Sequence, residues 1–416
     1  MEIQTPRPIG RLKNLLRNLP RHEAAGGLAL MAAAILALIV ANSPLAIHYQ
    51  ALLAMPIKIG IGAIVIDKDL IHWVNDGLMV IFFFLIGMEL KCEVLEGHLS
   101  TPRKASLPAI AAFGGMVGPA GIYLAFNGGD LEAARGWAIP TATDIAFALG
   151  ALSLLGKRVP PALKVFLLSI AIFDDLGAII LIATFYTSHL SAPALAIAAV
   201  FAVGLFILNR MGVMTACPYL ILGFLLWLAV LKSGVHATLS GVVLAMAIPL
   251  RVRKANCWVF HPLGISPQTE LLPKIAHALQ PWVAFAVLPI FAFANAGVSI
   301  AGLAPEDTLH SVSLGIVCGL FFGKQIGVLL SCWLAVRFRV AALPEGVNWR
   351  ELHGLTMLCG IGFTMSIFIS TLAFTGGQAS YGGLDRLGIL SGSLLSGLLG
   401  CAVIHFSLNR RSRMLR

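Results

Sequence analysis

About twelve stretches of this 416-residue chain are apolar over the length needed to cross a bilayer, which takes about 20 residues of helix. In hydrocarbon each backbone amide must find its partner within the protein, so such runs fold as helices rather than as open sheets. They fall near residues 24–42, 70–90, 106–127, 136–156, 161–186, 192–209, 215–231, 234–250, 275–299, 311–336, 351–374 and 385–408, numbered here as spans 1 to 12. Only 12% of residues are charged and mean hydropathy is +0.89, against about 25% charged in soluble domains. The sequence predicts an all-α polytopic membrane protein whose surroundings are lipid. No sizeable soluble domain fits between the spans.

The net charge is +10, but its distribution speaks against nucleic acid as a partner. The N-terminal tail carries Arg7, Arg11, Lys13, Arg17 and Arg21. With the connections after spans 2, 4, 6, 8 and 10 and the C-terminal tail, 23 of the 29 basic residues fall on one side. Lys58, Lys68, Arg135, Lys232 and Arg386 make 5 on the other, and Lys324 lies inside a span. The positive-inside rule then puts both termini in the cytoplasm. The expected organisation is a basic tail at 1–23, a membrane domain at 24–408 and a second basic tail at 409–416. The basic start and the apolar run that follows could mimic a signal peptide, but the run is too long, and an uncleaved first helix is expected. The seven cysteines, Cys92, Cys217, Cys257, Cys318, Cys332, Cys359 and Cys401, are scattered without a CxxC. They read as free thiols, with neither a disulfide framework nor a metal site.

Most connections are short. The longest outside loop contains PIKIGIGAIVI at 56–66, β-branched and broken by Gly60 and Gly62, a pattern suited to a small hairpin. A lone hairpin is marginal in water, so it should pack on a partner subunit or on its own helices. Two spans are interrupted by poor helix formers: span 4 by IPTATD (139–144) and span 11 by CGIGFTMS (359–366). Each is the middle of a trio, at about 106–186 and 311–408, and the trios start on opposite sides of the membrane. Interrupted helices at matching places in inverted repeats point to a transporter site; the alternative is a pair of ordinary kinks.

Asp144, Asp174 and Asp175 are the acids well inside spans, and Lys324 is the one such base. Each ionised aspartate at the bilayer centre costs about 2.5–3.5 kcal/mol, so three rival the whole stability of many proteins, about 5–15 kcal/mol. A buried structural ion pair accounts for one of them with Lys324, not for all three. Neighbours on a helix point about 100° apart, so Asp174 and Asp175 must face different surroundings, which suits one ion ligand and one ion-pair partner. Asp144 lies beside the break of span 4, where half-helix ends expose backbone groups and partial charges. The hydroxyls of Thr141 and Thr143 add oxygen ligands there. Carboxylates and hard oxygens favour a small hard cation, and a buried carboxylate can bind a proton instead. Competition for the same oxygens is exchange chemistry. No Walker sequence is present, so the energy must come from an ion gradient.

Seven stretches together resemble the NhaA family of sodium/proton antiporters, from end to end of the chain: WVNDGLMVIFFFLIGMELK (73–91), GWAIPTATDIAFALG (136–150), AIFDDLGAIILIATFYT (171–187), VLKSGVHATLSGV (230–242), PIFAFANAGVS (289–299), GKQIG (323–327) and LCGIGFTMSIFIS (358–370). The resemblance implies twelve transmembrane helices in inverted-topology repeats, with helices 4 and 11 broken, and a periplasmic β-hairpin that forms a homodimer. It implies a pH-regulated, electrogenic exchange of protons for Na+ or Li+ across the bacterial inner membrane, with no cofactor.

By position, Asp175 matches the principal cation ligand and Asp174 the carboxylate paired with Lys324. Asp144 and Thr143 match the broken-helix region near the ion. Which of Asp174, Asp175 and Lys324 carries each proton is left open. Asp76 matches an acid of helix 2 that shapes the assembly. His236 matches a position affecting the pH response, which suits the imidazole's titration range, and Glu89 matches an acid of a cytoplasmic charge cluster. That cluster is thinned: Cys92 stands where members carry a base and Ala276 where they carry an acid. Two rivals remain: a sodium-coupled organic-anion transporter of similar architecture, and an intramembrane aspartyl protease, whose GxGD motif neither ATD nor FDDLG supplies.

Overall fold

The computed structural model describes residues 23–61, 64–97, 99–187, 190–250, 271–299, 309–374, 381 and 383–414. The basic N-terminal tail to residue 22, Cys257 and the basic residues Arg251, Arg253 and Lys254 lie outside the described residues.

Among the described residues the chain is a bundle of helices with one two-stranded sheet. After α1 (Glu23–Ala41) and α2 (Ala46–Leu53), strands β1 (Pro56–Ile61) and β2 (Ile64–Asp69) pair antiparallel. The register sets Lys58 against Asp67 and Pro56 against Asp69. The hairpin thus runs to Asp69, beyond the 56–66 of the sequence pattern, because the polar IDKD end of β2 pairs as well as its apolar start. It rests on its own chain: Trp73 Nε1 donates to the Ile57 carbonyl (3.2 Å) and Lys68 Nζ pairs with Asp76 Oδ2 (2.7 Å).

The remaining helices are α3 (Met79–Leu95), α4 (Pro102–Asn127), α5 (Ile145–Leu154), α6 (Pro161–Phe185), α7 (Ala192–Arg210), α8 (Ala216–Leu231), α9 (Leu239–Ala247), α10 (Leu271–Trp282), α11 (Leu288–Ala296), α12 (Ser311–Cys318), α13 (Lys324–Arg337), α14 (Trp349–Leu358), α15 (Phe363–Ala373) and α16 (Leu384–Met414). Among the described residues, six helical stretches are long and apolar enough to cross a membrane, or nine if each bent pair counts as one. The sequence gives twelve runs. The three others are span 2, wound as Leu70–Trp73, a π turn at Val74–Leu78 and a 17-residue helix; span 7, a helix of 16 residues; and span 8, whose helix has 9.

The burial pattern is that of a protein in lipid. Val200, Val203 and Ile197 of α7 and Leu394 and Leu398 of α16 are exposed, whereas Thr143, Asp175, Lys324 and Ser366 are wholly buried. With no water outside to favour apolar packing, small residues and polar contacts hold the helices together. α4 is the spine that packs against α6, α13 and the segment Arg135–Thr141. Its crossing with α13 is backbone on backbone. A methyl at Gly327 would lie 2.0 Å from the Gly114 carbonyl, and one at Gly118 would lie 2.5 Å from that of Gly323.

A candidate ion-exchange site at two crossed breaks

Among the described residues three helical pairs are bent, α1 against α2 by 115° and two others deeper in the chain. Residues 131–154 bend by 45° between Leu131–Thr141 and Ile145–Leu154, and residues 349–373 bend by 45° between α14 and α15. The first break follows from Pro140, which cannot continue the backbone ladder. Arg135–Thr141 winds as a 3-10 helix, and Ala142 is then extended at φ −86°, ψ 153°. The second follows from Gly360 and Gly362 in CGIG.

The breaks meet. Asp144 N–H donates to the Ile361 carbonyl (2.7 Å), and Thr143 Oγ1 lies 2.8 Å from the Cys359 carbonyl. Asp144 is the N-cap of α5: its Oδ1 accepts from Phe147 N–H (3.0 Å). Its Oδ2 accepts from Thr364 N–H (3.1 Å) and Thr364 Oγ1 (2.5 Å). One carboxylate therefore serves the N-termini of two half-helices, where partial positive charge collects.

α6 carries Asp174 and Asp175, 1% and 0% exposed. Lys324 Nζ lies 2.5 Å from Asp174 Oδ2, and both side chains are fully buried. Thr143 Oγ1 is 2.7 Å from the same oxygen. Asp175, turned about a third of a revolution away, has no hydrogen-bond partner at either oxygen among the described residues, and Asp174 Oδ1 is likewise unpaired there. Lys324 opens α13 just after a π turn at Gly319–Gly323, and such turns often occur at functional places in helices.

The structure thus gathers Asp144, Asp174, Asp175, Thr143 and Lys324 at one place. Thr364, which clamps Asp144, is not legible in the sequence, because nothing local shows which hydroxyl of CGIGFTMS faces span 4. The α4–α13 glycine crossing was also missed, although glycine recurs every four residues at 315, 319, 323 and 327, a spacing that signals close helix approach.

The other candidates lie apart. Asp76 sits in the π turn before α3, paired with Lys68, and its carbonyl accepts from Trp227 Nε1 (3.2 Å). His236 Nε2 is 2.6 Å from the Tyr186 carbonyl at the end of α6; a carbonyl only accepts, so that nitrogen carries the hydrogen. Glu89, on α3, is half-buried. Two residues on, Lys91 Nζ donates to the Met246 and Ile248 carbonyls (2.6 Å each), closing the end of α9. Cys92 and Ala276 stand on α3 and α10, which pack against each other.

Buried carboxylates and a lysine at the crossing of two interrupted helices, within a bundle whose outside is apolar, define a polytopic membrane transporter rather than an enzyme. The sequence names the family. Residues 17–404 match the family described as Na+/H+ antiporter 1, and the chain belongs to it. It is 54% identical over 392 residues to the Na+/H+ antiporter NhaA of Pseudomonas putida strain GB-1, covering 94% of this chain and 97% of that protein. It is 54% identical over 389 residues to the NhaA antiporter of Shewanella loihica, covering 94% and 96%.

Proposed function

We propose that this protein is a Na+/H+ antiporter of the bacterial inner membrane, which exports sodium in exchange for protons by alternating access. The observation that carries the reading is Asp175, a wholly buried carboxylate with no partner at either oxygen among the described residues, beside a second carboxylate held by Lys324. Such a group is costly unless something binds it. A dehydrated sodium ion or a proton satisfies it, and the two exclude each other. Lithium, a smaller hard cation, fits the same oxygens.

Thr143 links protonation to the crossing. Its single hydroxyl hydrogen faces two acceptors, Asp174 Oδ2 and the Cys359 carbonyl, and can serve one at a time. Ionised Asp174 takes that hydrogen. Protonated Asp174 donates to Thr143 instead, which frees the hydroxyl for Cys359. Proton uptake is then felt at the break of span 11. Two carboxylates and a lysine give room for more than one proton per ion, which supports electrogenic exchange.

The wider reading has twelve spans, both termini in the cytoplasm, spans 4 and 11 interrupted within inverted repeats, and a homodimer joined through the hairpin, whose Ile59 is 55% exposed. pH regulation runs through His236 and Glu89. The test is transport in proteoliposomes: sodium or lithium added to purified protein dissipates a pre-formed pH gradient, and Asp175→Asn abolishes this. Full exchange by Asp175→Asn at unchanged sodium affinity refutes the ligand role, and wild-type protein inert to both cations refutes the antiport.

A further inference from the structure

The first N–H groups of a helix have no acceptor within it and need a cap, normally from the side chain of the residue just before. α15 begins beside the ion site, and its N-cap is Gly362, which has no side chain to offer. Its caps come from elsewhere in the chain. Thr364 N–H goes to Asp144 Oδ2 (3.1 Å). Phe363 N–H goes to Ser393 Oγ (3.1 Å), from α16. Ser393 is 3% exposed and Phe363 2%, so no water competes for this bond.

We infer that Ser393 is a positioning residue for the exchange site: it caps α15 across the helix interface and thereby leaves Asp144 free to hold Thr364 and α5. This rests on the antiporter reading. Without the Ser393 hydroxyl, the Phe363 N–H is a buried donor with no acceptor. Asp144 already engages both oxygens, on Phe147 and on Thr364. It either turns toward Phe363 and releases one of them, or the first turn of α15 unwinds. Either response moves the Ile361 and Cys359 carbonyls against Asp144 and Thr143, and so changes how well the site holds an ion.

The structure supplies an internal control. Ser396, one turn along α16, is 0% exposed, lies against Gly360, and its hydroxyl has no partner among the described residues. It has the same chemistry and burial, and no cap to lose.

The experiment measures sodium-driven proton release by full-length protein in proteoliposomes, reading KM for Na+ and kcat separately. Ser393→Ala is expected to raise KM about fivefold, the equivalent of one lost helix cap, with a smaller change in kcat. Ser393→Thr, which keeps the hydroxyl, returns KM toward wild type, and Ser396→Ala stays near it. Wild-type KM in Ser393→Ala overturns the inference, as does an equal shift in Ser396→Ala, which would mark a general loosening of α16. Should Ser393→Ala not fold, Ser393→Thr is compared with Ser393→Cys, whose thiol is the weaker acceptor; a KM no higher for cysteine than for threonine overturns it. Wild-type protein without sodium exchange would instead sink the antiporter reading itself.

Discussion

Removing the charge of Lys324 while keeping its bulk, as in Lys324→Met, isolates what the lysine does for Asp174. The two groups are 2.5 Å apart and fully buried. At an effective dielectric of about 20, unit charges at that distance attract by roughly 7 kcal/mol, most of it offset by the loss of hydration. The net value of the pair is small, but breaking it from one side costs about 3–5 kcal/mol, because a charge is left buried without its partner. Asp174 would then keep one neutral donor, Thr143.

The sign with pH follows. A proton on Asp174 removes the unpaired charge, so the variant's deficit is smaller in acid and grows as pH rises. Asp174→Asn alone strands the lysine instead. Asp174→Asn combined with Lys324→Met removes both charges and is expected to recover most of the loss. The assay is the thermal unfolding midpoint of purified protein across a pH series for wild type, both single variants and the double. A double variant as unstable as Lys324→Met, or a Lys324→Met deficit independent of pH, would refute the reasoning.

Three further outcomes follow from the geometry. Thr143→Val removes the one hydrogen that Asp174 and the Cys359 carbonyl share and weakens sodium affinity by about five- to a hundredfold, the range for an unsatisfied buried polar group, whereas Thr143→Ser stays close to wild type; KM for Na+ in proteoliposomes decides. Gly327→Ala drives a methyl to 2.0 Å from the Gly114 carbonyl, prises α13 from α4 and carries Lys324 away from Asp174, so transport falls more than tenfold by the same assay. Lys58 is held above the ordinary lysine range by its hydrogen bond to Asp67, so any support from this pair is present at neutral pH and lost as strong alkali deprotonates the lysine. The pair is solvent-exposed and such pairs contribute little, so Lys58→Gln leaves the unfolding midpoint unchanged at neutral pH.

Much of this protein is written in its periodicities. Lipid leaves a chain few options, so the lengths of the apolar runs fix an all-helical bundle, and Pro140, Gly360 and Gly362 mark where two elements cannot stay helical. The 100° turn per residue is enough to say that Asp174 and Asp175 must look at different surroundings. These are local facts, set by backbone sterics and hydration within a few residues. Which aspartate meets Lys324 is not local, because 150 residues separate Asp174 from its partner. That choice depends on the depth at which α13 crosses α4, and the crossing depends on glycines 114, 118, 323 and 327 meeting backbone to backbone. Asp144 alone looks like one more buried acid; only the crossing of the two breaks makes it the shared cap of α5 and α15. Ser393 reads as an ordinary small residue of a membrane helix until α16 is laid against the start of α15. Sequence determines where the backbone must break and which charges lipid would not tolerate without a use. Tertiary packing decides which of those charges are satisfied by one another, and so which one is left for an ion.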